Sequence, residues 1–191
     1  DIEINIQDKF INIKNMKIFT FGLIYLFSFG FEMTLYTNIF ILIEYEDKSI
    51  KDKIYIMFLF SILNLICRPL GGYISDIQYK YFKIIGKIKI MILFQIITLI
   101  ASALYIINNM SKYYLLLLSG FNNLLQGSII GIIPHINSKN LGINFGIISG
   151  FGILGGIIGN ILFYYLDNQK VFRYINVYNI TILILNIFCL L

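Results

Sequence analysis

The apolar residues are gathered into six blocks, at about 17–43, 54–75, 88–107, 113–133, 141–166 and 174–191, separated by short polar turns. Each block is close to the roughly 20 residues an α-helix needs to cross a bilayer. A soluble core would spread such residues periodically among polar ones. With turns this short, the backbone hydrogen bonds of each block are satisfied in lipid only if the block is a helix. The period-two alternation of a membrane β-barrel is absent. The pattern therefore predicts an all-α, polytopic membrane protein, with residues 1–16 a cytoplasmic linker or loop segment and 17–191 a bundle of six transmembrane helices.

Composition agrees. The chain is 58% hydrophobic and 13% charged, against roughly 45–50% and 25% in soluble domains, and its mean hydropathy is +0.80. The net charge of +5 does not point to nucleic acid, because the lysines are scattered over short loops and form no basic domain. They report topology instead. Lys9, Lys14, Lys17, Lys80, Lys83, Lys87, Lys89 and Lys139 would share one side, and Lys48, Lys51, Lys53, Lys112, Lys170 and Arg173 the other. Glu44, Glu46, Asp47, Asp52 and Asp167 also fall on the second side and weigh little, so the N-terminal end is expected in the cytoplasm. Cys67 and Cys189 lie in apolar runs and read as packing residues, not as a disulfide framework. No signal peptide is expected before the spans, and both ends read as cuts in a longer protein. The sequon Asn109-Met110-Ser111 falls in a short outer loop, too close to the membrane for modification to be expected.

Arg68 is the sharpest signal. Of the fifteen Lys and Arg residues, it alone sits well inside a predicted span, within Asn64-Leu65-Ile66-Cys67-Arg68-Pro69-Leu70-Gly71-Gly72. Eight residues from the inner end near Asp76, its Cα lies about 12 Å deep. A guanidinium there costs at least about 2.5–3.5 kcal/mol, so it must face a cavity or a partner. A planar anion matches its fork of donors. The alternative is a structural ion pair with Glu32, the one acid comparably deep. Asn64, one turn earlier on the same face, would orient the guanidinium or bond another helix. Pro69 with Gly71 and Gly72 would supply a kink or hinge, or simply close packing.

On the fourth span, Ser119, Asn122, Asn123 and Gln126 put polar groups on a face that lines the interior or bonds another helix. The fifth carries Gly142, Gly146, Gly150, Gly152, Gly155, Gly156 and Gly159, spaced for tight helix contact. They make no phosphate loop, which needs its strand–turn–helix context. His135, the single histidine, follows Pro134 at the cytoplasmic end of the fourth span and reads as structural. With no paired catalytic acids, metal constellation or nucleophile with its base, no enzyme, cofactor or metal site is expected.

From Ser28 onward the chain resembles the C-terminal half of the nitrate/nitrite porter family, within the major facilitator superfamily of twelve-helix transporters. Ser28-Phe29-Gly30-Phe31-Glu32-Met33-Thr34 is similar to the glycine-x-glutamate-x-threonine element of the family's seventh helix, with Asn38 displaced from the expected asparagine. Asn64 through Asp76 is similar to its eighth helix and following loop, where Arg68 falls on the substrate arginine and Gly72-x-x-x-Asp76 on the motif that helps gate the inner face. Gly131-Ile132-Ile133-Pro134 and then Gly142, Gly146, Gly152 and Gly155 follow the glycine-rich signature of helix eleven, with Ile153 replacing an asparagine and Phe151 a glycine.

The resemblance implies that residues 17–191 are helices seven to twelve of a transporter working by alternating access, with a small anion, most of all nitrate or nitrite, as cargo. It implies a substrate site of Arg68, Asn64, Glu32 and Thr34. Gating and packing would fall to Pro69, Gly71, Gly72, Asp76, Gly142, Gly146, Gly152 and Gly155. The implied partners are the small anion, a coupling proton, the lipid bilayer and an N-terminal half whose helix two supplies a second arginine, without which this chain alone should not transport. Another small solute, such as an organic anion, amino acid or sugar, is the alternative cargo. A receptor or assembly protein in which Arg68 and Glu32 merely pair is the alternative outside transport.

Overall fold

A computed structural model describes residues 16–43, 49–108, 111–136 and 140–190. The linker expected over 1–16 lies outside them as far as residue 15, as do Lys9, Lys14, Glu44, Glu46, Asp47, Lys48, Lys139 and the first two residues of the sequon. Among the described residues there are five helices, α1 (Met16–Ile43), α2 (Ile50–Ile107), α3 (Lys112–Ile136), α4 (Leu141–Tyr165) and α5 (Asn168–Leu190), and no strand. The first four are long and apolar enough to cross a membrane. Large side chains such as Leu65, Ile107 and Tyr113 point outward, a liability in water but the normal surface of a protein in lipid. This is an all-α, polytopic integral membrane protein.

Helix α2 contains the second and third predicted spans. Its 58 residues would measure about 87 Å if straight, nearly three times the roughly 30 Å hydrocarbon thickness. The chain instead reverses at Lys83, whose φ of 54° and ψ of −142° leave the helical region. Beyond the turn, Lys87 Nζ lies 2.6 Å from Asp76 Oδ1, whereas a straight helix would set residues eleven apart about 16 Å from each other along its axis. Of the kink or close packing expected at Pro69, Gly71 and Gly72, the close packing is present, at Gly71 against α3. Lys83 is the one non-helical residue inside α2, and the helix runs on through the proline. A proline's fixed φ suits a helix, so its cost is one hydrogen bond and a local clash, which membrane helices tolerate.

The packing makes two close helix pairs, α2 with α3 and α1 with α4, and α5 lies against α1 and the second arm of α2. On α1 the buried residues Ile18, Phe21, Ser28, Phe31, Leu35, Ile39 and Leu42 recur mainly every three or four positions, one continuous stripe. On the other side of α1, along Gly22, Leu26, Gly30 and Met33, lies α4, and there both helices carry glycine. A Cβ on Gly155 would overlap the Leu26 carbonyl, and one on Gly152 would stand 2.8 Å from the Tyr25 and Phe29 rings. The α2–α3 crossing is built the same way, since a Cβ on Gly71 would strike the Leu124 carbonyl and one on Gly127 the Arg68 carbonyl.

The glycines of α4 therefore divide. Gly152, Gly155, Gly156 and Gly159 are buried against α1, whereas no atom lies within 4 Å of a Cβ built on Gly142 or Gly146. The packing expected of Gly142 and Gly146 is not made within these helices, because the helix turns those positions to its outer face. Substituting Gly127→Ala should cost about 1–3 kcal/mol, since backbone must move to admit the methyl. Gly142→Ala should be neutral or slightly stabilising. Thermal unfolding of the two variants in detergent, side by side, checks the contrast.

Candidate functional site

Three helices converge on one cluster of polar side chains. Helix α1 presents Glu32. Helix α2 presents Asn64 and Arg68, one turn apart on the same face. Helix α3 presents Asn123 and Gln126, three residues apart, together with Asn122. The Arg68 Nη2 donates to Glu32 Oε2 at 2.5 Å and to Gln126 Oε1 at 2.5 Å, with Asn123 Oδ1 farther away at 3.4 Å. Asn64 Nδ2 donates to the other carboxylate oxygen, Glu32 Oε1. The ring of Phe29 lies 6.0 Å from the guanidinium carbon, within the range of a cation–π contact.

The amides of α3 also reach past the cluster. Asn122 Nδ2 and Gln126 Nε2 both donate to the Ser28 carbonyl of α1, at 2.8 and 3.0 Å. Asn122, Asn123 and Gln126 are essentially fully buried, so each such bond saves a polar group from lying unsatisfied in an apolar medium. The close glycine crossing at Gly71 and Gly127 brings α3 against α2 beside Arg68, where Gln126 bonds it.

Glu32 is almost enclosed, its side chain 7% exposed, whereas that of Arg68 is 29% exposed. The difference comes from a groove of about 450 Å³ beside Arg68, lined by Asn64, Leu65, Pro69, Gly72, Gly127 and Ile130 among others. Arg68 Nε is buried and has no hydrogen-bond partner among the described residues. The guanidinium thus binds one carboxylate and one amide through a single nitrogen, while its Nε donor is unspent and closed off from the surface.

Of the residues expected in the site, Glu32, Asn64 and Arg68 come together. Thr34 does not. Its hydroxyl donates to the Gly30 carbonyl at 2.8 Å, and it is packed against Gly159 of α4. Two residues beyond Glu32, it lies about 200° around the helix, toward α4 instead of toward α2. There it borders an apolar cavity of about 370 Å³ with Leu26, Phe31, Gly155 and Tyr174. Asn38 likewise turns to α4, donating to Asn160 Oδ1 at 2.8 Å. Ile153 is exposed, and Phe151 packs edge-on to Phe19.

Asp76 and Gly72 lie in the first arm of α2, toward its reversal at Lys83. Lys87, buried despite its charge, donates to Asp76 Oδ1 and to the Gly131 carbonyl of α3, both at 2.6 Å. Its ammonium lies 5.3 Å from the Tyr79 ring, which stacks on His135 at 4.5 Å. Sequence reasoning counted Lys87 only as a cytoplasmic charge, since the reversal at Lys83 that returns it to Asp76 has no signal in the hydropathy pattern. It also left Gln126 outside the site, although the spacing of Gln126 from Asn122 already marked that face of α3 as polar. A third cluster, Gln95 and Ser102 of α2 with Asn176, Asn179 and Asn186 of α5, ties those helices by side-chain bonds.

No protein-family model matches this sequence. The chain is similar to the high affinity nitrate transporter 2.7 of Arabidopsis thaliana, 25% identical over 161 residues that cover 82% of this chain and 32% of that protein. It thus spans about a third of the length of the curated relative it matches.

The ion pair makes a prediction about stability. Arg68→Met should leave the enclosed Glu32 carboxylate unpaired and cost about 3–5 kcal/mol. Adding Glu32→Gln should recover most of that loss, since a neutral amide has no charge to desolvate. Unfolding midpoints of the two single variants and the double variant check this, and a double variant no more stable than Arg68→Met contradicts it.

Proposed function

We propose that this chain is the C-terminal half, helices seven to twelve, of a major facilitator superfamily porter that carries a small anion, nitrate or nitrite, by alternating access. The observation that carries the reading is Arg68. It is a guanidinium in an apolar span, beside a groove, with a buried Nε that no described residue satisfies. Its counter-ion Glu32 and the amides around it hold its charge in place. The similarity to a nitrate transporter over 82% of the chain supports the same reading.

In the proposed mechanism a small planar oxyanion enters the groove and takes the free edge of Arg68, with Asn64 keeping Glu32 in position. An N-terminal half supplies the facing wall and further positive charge. Access alternates as the two halves rock about the site. The Lys87–Asp76 contact, at the inner end of α2 and α3, stabilises one of the two arrangements of that end.

A second reading is favoured by one observation, the 2.5 Å contact between Arg68 and Glu32. It makes the pair a structural tie in a membrane protein with another cargo or with none. Anion uptake by the full-length protein carrying Arg68→Lys decides between them, because lysine keeps the charge and loses the planar fork. A loss of nitrate uptake of at least about tenfold at normal surface level is expected. Unimpaired uptake would overturn the anion site. Restored folding and activity on exchanging the charges, Glu32→Arg with Arg68→Glu, would favour the structural tie.

A further inference from the structure

Gln126 is the side chain that touches both the guanidinium and the backbone of a third helix. Its Nε2 donates to the Ser28 carbonyl of α1 at 3.0 Å, and its Oε1 accepts from Arg68 Nη2 at 2.5 Å. The orientation of the amide follows from chemistry alone. The amide oxygen carries no hydrogen and cannot donate to a carbonyl, so the nitrogen must face Ser28 and the oxygen is left to face Arg68. Asn122, one turn earlier, donates to the same carbonyl at 2.8 Å and braces the contact.

Arg68 Nη2 carries two hydrogens. Glu32 and Gln126 take them at 2.5 Å each, and Asn123 stands off at 3.4 Å. Two acceptors on one nitrogen fix the plane of the guanidinium and leave Nε–H unspent. The two acceptors differ in charge. Glu32 neutralises the arginine, whereas Gln126 orients it and leaves its charge available.

We propose that Gln126 is a positioning residue for Arg68, a neutral acceptor that sets the guanidinium plane in which Arg68 meets a planar oxyanion. This rests on the reading of Arg68 as the anion site. A neutral acceptor suits that task, because a second carboxylate at this position would compete with the anion for the guanidinium.

The test is nitrate uptake by the full-length protein carrying Gln126→Met, Gln126→Asn or Gln126→Glu, with Arg68→Lys measured in parallel and all values corrected for surface level. Gln126→Met keeps length and apolar packing but removes the strong acceptor. It should raise KM by about tenfold, the scale of one lost hydrogen bond to a charged group, with turnover changed less than about threefold. Gln126→Glu should raise KM further, and Gln126→Asn, shorter by one methylene, should do so even if the Met variant fails to reach the membrane. A purely structural role would lower surface level or melting temperature and leave KM alone. An unchanged KM in both Gln126→Met and Gln126→Asn, with uptake lost in Arg68→Lys, overturns the positioning role and spares the anion site. Normal uptake in Arg68→Lys overturns the anion site itself, and the positioning role with it.

Discussion

The arrangement of this protein follows from one constraint, a guanidinium held at membrane depth. A charge there is tolerated only with a counter-charge and full hydrogen bonding. Arg68 meets that demand at every point but its buried Nε through three helices, with Glu32 from α1, Gln126 from α3 and Asn64 of its own helix bonding the carboxylate. The demand is geometric as well as electrostatic. An amide side chain is short, so α3 reaches Arg68 only because Gly71 and Gly127 let the two backbones almost touch. The polar cluster and the glycine crossing are two sides of a single solution.

The same logic repeats away from the charge. Lipid offers no hydrophobic drive for helix pairing, so association relies on close packing and on side-chain hydrogen bonds. The seam between α1 and α4 uses Gly30, Gly155 and Gly159 for contact and Asn38, Thr37 and Asn160 for bonding. Helix α5 is tied to α2 by amides. What is left outside this economy is the outer face of α4 at Gly142 and Gly146, and the groove beside Arg68. In the proposed porter both are surfaces at which this half meets something else.

How far the sequence could be read varies with the physics of each feature. The helical class was legible because the bilayer imposes block lengths that composition alone reveals. The pairing of Arg68 with Glu32 was legible as an alternative to anion binding, because only one acid lies comparably deep. The structure shows the pair formed and the guanidinium still holding an unspent donor, so the two readings coexist in one geometry. Thr34 misled because a motif read along the chain ignores the turn of the helix, which carries it round to α4. Lys87 was hidden by a reversal at Lys83, where an ordinary residue takes a left-handed φ of 54° that no hydropathy pattern signals. Pro69 read as a kink or as close packing, and its backbone fits a helix.

The central claim is that Arg68 receives a small anion. The most direct measurement is the melting temperature of the purified full-length protein across rising nitrate, nitrite and other small solutes, with Arg68→Ala beside it. A ligand that binds only the folded state raises that temperature with concentration. The account predicts a rise with nitrate or nitrite that Arg68→Ala abolishes. Stabilisation by nitrate that survives Arg68→Ala, or by an unrelated solute alone, would contradict it.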